Sequence, residues 1–148
     1  MIFKGSLLFY NMSTKESKRT IMFDLDGTVS DYSGGWAIHG EFPGEPFPES
    51  VDAIKKLKDA NYIIGIYTTR PNELVEKWLD KYELTEYVDF INDNPQQPEG
   101  ASHKPIAHAY IDDRAIRFDG TNMGEIVEQI MNGGFAPWQN QQQIVPTF

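Results

Sequence analysis

The alternation of short apolar runs with amphipathic segments is the sequence feature that constrains the fold most. Four runs have the length and composition of β-strands: 19–23, 62–67, 87–91 and 107–111. Three segments are predicted helices: 49–60, 71–82 and 125–131. Strands that alternate with helices need crossover connections, which lay the helices over a parallel sheet. The sequence therefore predicts an α/β fold with a parallel sheet and helices on both faces.

Composition excludes several classes of function. Asp+Glu 22 against Lys+Arg 13 gives a formal net charge of −9. This balance argues against bulk binding to nucleic acid or to anionic membranes, because phosphate groups need clustered Lys and Arg. The absence of cysteine excludes a disulfide scaffold, a thiolate zinc site and a cysteine nucleophile. No apolar run approaches the ~20 residues of a membrane span, and we expect a cytoplasmic protein.

The length of 148 residues predicts one domain. We assign it to residues 19–132, with a leader over 1–18 outside the core and a tail over 133–148. The apolar residues of the leader alternatively pack as an extra strand, and the tail is a candidate for docking or for contact between subunits. Residues 29–48 are interrupted by several glycines and prolines. They are predicted to form a long structured loop, called the flap below.

Acidic and polar residues follow the predicted strands at the points where they end. They are Asp24, Asp26, Thr68, Arg70, Asp112 and Asp113. Parallel sheets bind ligands outside the carboxyl ends of their strands. Taken singly, each acid is an ordinary cap of a loop or helix. Together, four carboxylates repel one another unless a cation or proton is present, and Mg²⁺ prefers a few carboxylates with waters and phosphate oxygens. The sequence therefore predicts a Mg²⁺ site.

The spacing of Asp24 and Asp26 predicts phosphoryl transfer. Residues two apart project from the same side of an extended chain, and Gly27 lets the backbone turn away, so both carboxylates face one phosphorus atom. Asp24 is the candidate nucleophile. Asp26 is the candidate acid/base, which gives a proton to the leaving oxygen and later takes one from water. Thr68 and Lys104 are the candidate phosphate-binding residues.

This ordered set of residues resembles the four motifs of the haloacid dehalogenase-like (HAD) superfamily over roughly residues 19–131. The resemblance implies a Rossmann-like sheet, Mg²⁺ and phosphatase activity. It makes Asp24 the nucleophile and a metal ligand, and Asp26 the acid/base that also gives a backbone carbonyl to the metal. Thr68 and Lys104 then bind phosphate, and Asp112 and Asp113 form the remaining acidic motif, either of them being the direct metal ligand. The form Asp24-Leu25-Asp26 is that of a phosphatase, since a dehalogenase lacks the second Asp.

The flap is too short to fold as a separate cap domain. We therefore expect a site that is open or is closed by a partner subunit, as in small capless members of the superfamily. Candidate substrate contacts are Trp36, His39, Arg70 and Arg114. Aromatic flap residues alternatively pin down the loop, and Arg114 alternatively pairs with a nearby acid. The expected substrate is a small phosphorylated metabolite or a nucleotide. The Asp112-Asp113 pair also resembles the ending of deoxyribonucleotidases, which normally carry a larger cap.

Two other functions stay open at this point. One is a phosphatase acting on nucleic-acid ends, which an open site favours and the net charge opposes. The other is a non-catalytic phospho-acceptor or binding module, since receiver domains also combine acids, a Thr and a Lys on a parallel sheet. In receivers the phosphorylated Asp follows the third strand, which here would be Asp93.

Overall fold

The structure is a computed structural model that describes residues 18–139. Most of the predicted leader, 1–17, and the end of the predicted tail, 140–148, lie outside the described residues. The strands are β1 (Thr20–Phe23), β2 (Ile63–Ile66), β3 (Phe90–Ile91) and β4 (Ala109–Ile111). The helices are α1 (Trp36–His39), α2 (Pro48–Asp59), α3 (Asn72–Lys81) and α4 (Met123–Met131), with a 3₁₀ turn at Thr85–Tyr87. None of the helices within 18–139 has the length and apolar character that crossing a bilayer would need.

The four strands form one sheet in the order β3-β2-β1-β4, and every pairing is parallel. The α/β fold with a parallel sheet is confirmed. β1 lies between β2 and β4, with Phe23 opposite Ile66 on one side and Ile111 on the other. The carboxyl ends of β1, β2 and β4 therefore meet at one edge of the sheet.

One face of the sheet carries the core. The core cluster takes Phe23 from β1, Ile66 from β2, Ile54 from α2 and Trp78 from α3. These side chains are 3% exposed or less. The crossovers β1-α2-β2 and β2-α3-β3 advance in the same direction across the sheet, so right-handed connections place both helices on this face.

The connection from β3 to β4, within the described residues, contains no helix. The connection from β3 back past β1 to β4 runs in the opposite direction, so it crosses the other face. It is a loop, 92–108, held by the buried side chain of Asn94, whose Nδ2 donates to the carbonyl of Ile106 at 2.8 Å. Helix α4 buries no residue.

Strand β3 is shorter than the predicted run 87–91. The chain first makes the 3₁₀ turn, and the side chain of Asp89 then takes the place of a ladder carbonyl by accepting from the backbone N–H of Ile64 at 2.8 Å. The same carboxylate pairs with Lys58. Neither this turn nor α1 inside the flap was predicted from the sequence, because each spans a single turn and leaves no periodic pattern.

Candidate active site

Three of the four predicted carboxylates lie together at the carboxyl edge of the sheet. Asp24 follows β1, while Asp112 and Asp113 follow β4, and one oxygen from each lies within 4.8 Å of the others. The backbone N–H of Asp24 donates to the carbonyl of Ile111 at 2.8 Å, which extends the pairing of the two strands up to this point. Adjacent parallel strands thus deliver all three acids to one place. These three residues are called the acid cluster below.

The acid cluster is electrostatically strained. Burial, and then the negative charge of Asp112, raise the pKa of Asp24 to about 8. Burial likewise raises the pKa of Asp113, although its hydrogen bond with Asp24 acts in the opposite direction. A hydrogen bond between two carboxyl groups requires a shared proton, so the pair resists carrying two negative charges. A cation placed among these oxygens relieves the same repulsion.

Asp113 is held by the loop that follows Asp24. Its backbone N–H donates to the hydroxyl of Thr28 at 3.2 Å. Gly27 has a φ of +81°, and a Cβ at that position would lie 2.5 Å from Asp113 Oδ2. Gly27 is therefore required both by its left-handed backbone and by the close approach of the carboxylate. The sequence indicated a turn at Gly27, but not that a carboxylate 86 positions along the chain would occupy the space a side chain would fill.

One carboxylate oxygen of the acid cluster has no hydrogen-bond partner. Asp113 Oδ1 is buried and accepts no hydrogen bond. A buried carboxylate oxygen without a partner is costly, and such atoms in native proteins commonly mark an ion or water. Carboxylate oxygens are hard ligands of the kind that Mg²⁺ or Ca²⁺ prefers, and one of those in the acid cluster has no hydrogen-bond partner. The residues present therefore fit a divalent cation.

The side chain of Asp26 is not part of the acid cluster and binds Arg70. Arg70 Nε donates to Asp26 Oδ2 at 2.7 Å and Nη2 donates to Oδ1 at 2.9 Å. The Arg70 side chain is almost completely buried, whereas that of Asp26 is 17% exposed. Arg70 was a candidate substrate contact from the sequence. Here its guanidinium is occupied by Asp26 and by the flap.

Thr68 opens the loop after β2, and Asn92 holds this loop in place. The backbone N–H of Thr68 donates to Asn92 Oδ1 at 2.7 Å, while Asn92 Nδ2 donates to the carbonyl of Arg70 at 3.2 Å. The hydroxyl oxygen of Thr68 accepts from the N–H of Arg70 at 3.2 Å. Asn92 adopts a φ of +53° to make these bonds. Sequence reasoning assigned no role to Asn92, although its position just past β3 is the signal that marks the other site residues.

Lys104 and Arg114 are the two remaining cations that the sequence assigned to the site, and both lie at the surface. Lys104 is exposed, and its Nζ lies 4.7 Å from the centre of the Tyr110 ring, two residues before Asp112 on β4. Arg114 is exposed, and its backbone N–H donates to Asp112 Oδ1 at 2.8 Å. The charge of Arg114 also acts to lower the pKa of Asp113. The charge of Arg114 therefore acts on the acid cluster, whereas the described contact of the Lys104 ammonium group is with Tyr110.

The flap is closed at its base and is held there against α3. The N–H of Asp31 donates to the carbonyl of Glu45 at 2.7 Å, which joins the two ends of the flap. Beside this bond, Trp78 Nε1 in α3 donates to the carbonyl of Gly44 at 2.8 Å. His39 Nε2 lies 3.0 Å from the carbonyl of Ser33, inside the flap. The ring of Trp36, by contrast, is 63% exposed.

The segment after α4 reaches the same region, which the sequence did not indicate. The indole N–H of Trp138 donates to the carbonyl of Gly27. The side chain of Gln139 accepts from the N–H of Tyr32 at 2.8 Å and donates to Asp31 Oδ1 at 2.6 Å. Residues near the end of the chain thus contact both the loop after Asp24 and the base of the flap. A contact across more than a hundred residues leaves no local pattern in the sequence.

Comparison with known proteins supports the fold and is silent on activity. No protein-family model matches the chain, and no curated protein matches it. A solved structure, described as that of the conserved protein coded by a locus from Bacteroides thetaiotaomicron, aligns with a TM-score of 0.53 and 22% identity. The alignment covers 81% of this chain and 94% of that chain. At this identity the likeness shows that the two chains share an α/β fold.

Proposed function

We propose that this protein is a Mg²⁺-dependent phosphatase of the HAD type, which hydrolyses small phosphate monoesters through an aspartyl-phosphate intermediate. The observation that carries the proposal is the position of Asp24 in the acid cluster, beside a buried oxygen of Asp113 that has no partner. Asp24 is crowded by other carboxylates and lies at the ligand-binding edge of a parallel sheet. Both features favour a role as a metal-assisted nucleophile over a role as a structural cap.

The acid cluster would hold the metal, through Asp24, Asp112 and Asp113, and the backbone carbonyl of Asp26 is a further ligand that the family resemblance implies. Mg²⁺ would supply positive charge that lets the anionic nucleophile approach an anionic phosphate. The protein contributes the fixed placement of the three carboxylates, which Thr28 and Gly27 maintain by holding Asp113.

The reaction divides between two side chains. A carboxylate oxygen of Asp24 attacks phosphorus, the bond from phosphorus to the leaving oxygen breaks, and that oxygen takes a proton from Asp26. Water then attacks the phosphorus of the aspartyl-phosphate and gives its proton to Asp26, and the bond to Asp24 breaks to release inorganic phosphate. One water is consumed, and the acid/base returns to its starting state. Thr68 and Lys104 would bind phosphate oxygens.

A non-catalytic phospho-acceptor would use a different aspartate. Asp93, which follows β3, is exposed, and its Oδ1 accepts from the N–H of Asn94 at 2.7 Å. It does not belong to the acid cluster, the one group of three or more potential ligands found among residues 18–139. This arrangement favours Asp24 over Asp93 as the phosphorylated residue.

The test is phosphate release from p-nitrophenyl phosphate, sugar phosphates and nucleotides, in Mg²⁺ and in EDTA. We expect metal-dependent turnover that falls by about a thousandfold or more in Asp24→Asn, a loss of about 4 kcal/mol of transition-state stabilisation. Asp93→Asn is the matched control, because it makes the same chemical change at the end of another strand, and we expect it to keep wild-type turnover. Undiminished turnover in Asp24→Asn, or no turnover on any compound including an end-phosphorylated oligonucleotide, contradicts the proposal.

A further inference from the structure

Arg70 is the most heavily bonded buried side chain near the site. It is 3% exposed, although a guanidinium is among the groups least often buried. Besides its two bonds to Asp26, its Nη2 donates to the carbonyl of His39 at 2.6 Å and its Nη1 donates to the carbonyl of Gly40 at 2.9 Å. The ring of Trp36 lies 5.0 Å from the central carbon of the guanidinium.

These contacts come from two parts of the molecule, which Arg70 bridges. One is the carboxylate of Asp26, on the loop after β1. The other is the flap around α1, which supplies two carbonyls and the Trp36 ring. A buried cation is tolerated only while its donors are satisfied. If the flap moves away, Arg70 loses two hydrogen-bond acceptors and its aromatic neighbour at once. The orientation of its guanidinium, and of the Asp26 carboxylate bound to it, is then no longer fixed.

We propose that Arg70 is a positioning residue that couples the seating of the flap to the orientation of the acid/base Asp26. The inference rests on the proposed phosphatase function. The planar guanidinium matches both oxygens of Asp26 while its remaining N–H groups bind the flap, a bridging geometry that the single ammonium group of Lys does not reproduce. Each carboxylate oxygen that accepts one bond from Arg70 keeps a second lone-pair direction, which is the one available for proton transfer.

Coupling between the flap and Asp26 would select substrates by the size of their leaving groups. A leaving group that fits beneath the seated flap finds Asp26 correctly oriented. A leaving group that lifts the flap still binds through its phosphate but reacts slowly, because the proton donor is displaced and small displacements cost large factors in rate. Bulky substrates should therefore lose kcat more than they raise KM.

The test compares phenyl phosphate with p-nitrophenyl phosphate, which have similar shapes but differ in how much the leaving oxygen needs a proton. We expect Arg70→Lys to lower kcat/KM at least about fivefold more for phenyl phosphate than for p-nitrophenyl phosphate, since proton donation matters more for the poorer leaving group. In an Asp26→Asn background, Arg70→Lys should change kcat/KM by no more than about twofold for either substrate, because the effects of coupled residues are not additive. Equal losses on both substrates, or the same loss in both backgrounds, overturn the proposal.

A second variant guards against misfolding of Arg70→Lys. Trp36→Leu removes an exposed ring from the outer side of Arg70, and we expect it to reproduce the leaving-group dependence at smaller size. Ile38→Ala is its control, because Ile38 lies in the same helix, is 70% exposed and does not contact Arg70 among the interactions described above. The two proposals fail separately. Turnover that survives Asp24→Asn removes the phosphatase mechanism, whereas loss in Asp24→Asn without leaving-group dependence in the Arg70 and Trp36 variants removes only the coupling.

Discussion

Strands β1 and β4 are neighbours in one sheet but belong to regions that are packed very differently. All four residues of β1 are buried, whereas all three of β4 are exposed. The helices follow the same division, since α3 buries Trp78 and two of its neighbours while α4 buries none. The sheet therefore has a packed region, from β1 to β3 with α2 and α3, and an open region of β4 and α4.

The acid cluster lies where these two regions meet. Asp24 belongs to the packed region, and Asp112 and Asp113 belong to the open one. Hydrogen bonds cross between them near the cluster, such as the bond from the N–H of Asp24 to the carbonyl of Ile111 and the bond from the N–H of Asp113 to Thr28. Asp24, which follows a buried strand, thus lies beside two acids that follow an exposed strand. A cation bound among them would join the regions, so stability and metal binding should be linked.

The sharpest way to test the comparison is to remove one large side chain from each region. Trp78→Ala empties a fully buried position and removes the bond to Gly44, so we expect it to lower the free energy of unfolding by about 3–5 kcal/mol. Val127→Ala in α4, where Val127 is 45% exposed, should cost about 0.5 kcal/mol or less. Urea denaturation measures both. Similar losses in the two variants would show that α4 is packed as firmly as α3.

A second test breaks the contact between the regions at Gly27. Gly27→Ala adds the strain of a left-handed residue and pushes a Cβ against Asp113 Oδ2, so we expect a loss of about 2 kcal/mol and Mg²⁺ affinity lowered at least tenfold. Gly120→Ala is the matched control, because Gly120 has a φ of +99° but open space around it. Isothermal titration with Mg²⁺ should show unchanged affinity for this control. Equal affinities in the two variants would contradict the role given to Gly27.

The third test uses the pH dependence of the metal-free protein. The pKa of Asp24 rises from 3.8 to about 8 on folding, so between these values the folded state keeps a proton that the unfolded state has lost. Stability from this group is complete below about pH 4 and is lost as the pH rises through 8. In EDTA we expect the melting temperature to fall by several degrees between pH 5 and 8, and Mg²⁺ to reverse the fall.

Two substitutions identify the group responsible for that pH dependence. Asp24→Asn should flatten the curve of melting temperature against pH, because the titrating group is gone. Asp52→Asn, which changes an exposed residue of α2, should leave the curve unchanged. A curve that keeps its slope in Asp24→Asn would mean that the acid cluster is not the source.

The smallest expected effect concerns Trp138. Trp138→Phe keeps an aromatic ring against Phe47 but removes the donor to Gly27, so we expect a loss of about 1 kcal/mol or less. The loss should be larger in EDTA than in saturating Mg²⁺, because the metal independently holds the loop after Asp24. Thermal melts in both conditions measure it. An effect that grows in Mg²⁺ would contradict this reasoning.

The sequence predicted the parts of the site that follow from strand ends. Asp24, Asp112 and Asp113 each come directly after an apolar run, and the sheet rule brings them together. The pairing of Asp26 with Arg70 was beyond sequence reasoning, because it joins side chains 44 residues apart through a flap with no periodicity. Trp138 was missed for the same reason, since its partner Gly27 is 111 residues away. The parallel sheet with its helices followed from the alternation of strands and helices, while the connection from β3 to β4 is a loop.

The most direct test of the central claim is to trap the covalent intermediate. Asp26→Asn should slow hydrolysis of an aspartyl-phosphate, so that a sample given substrate and Mg²⁺ and quenched in acid carries phosphate on the enzyme. Peptide mass spectrometry should then find the mass of one phosphoryl group on the peptide that contains Asp24, and none when EDTA replaces Mg²⁺. Turnover without a labelled peptide, or a label on Asp93 instead, would contradict the account.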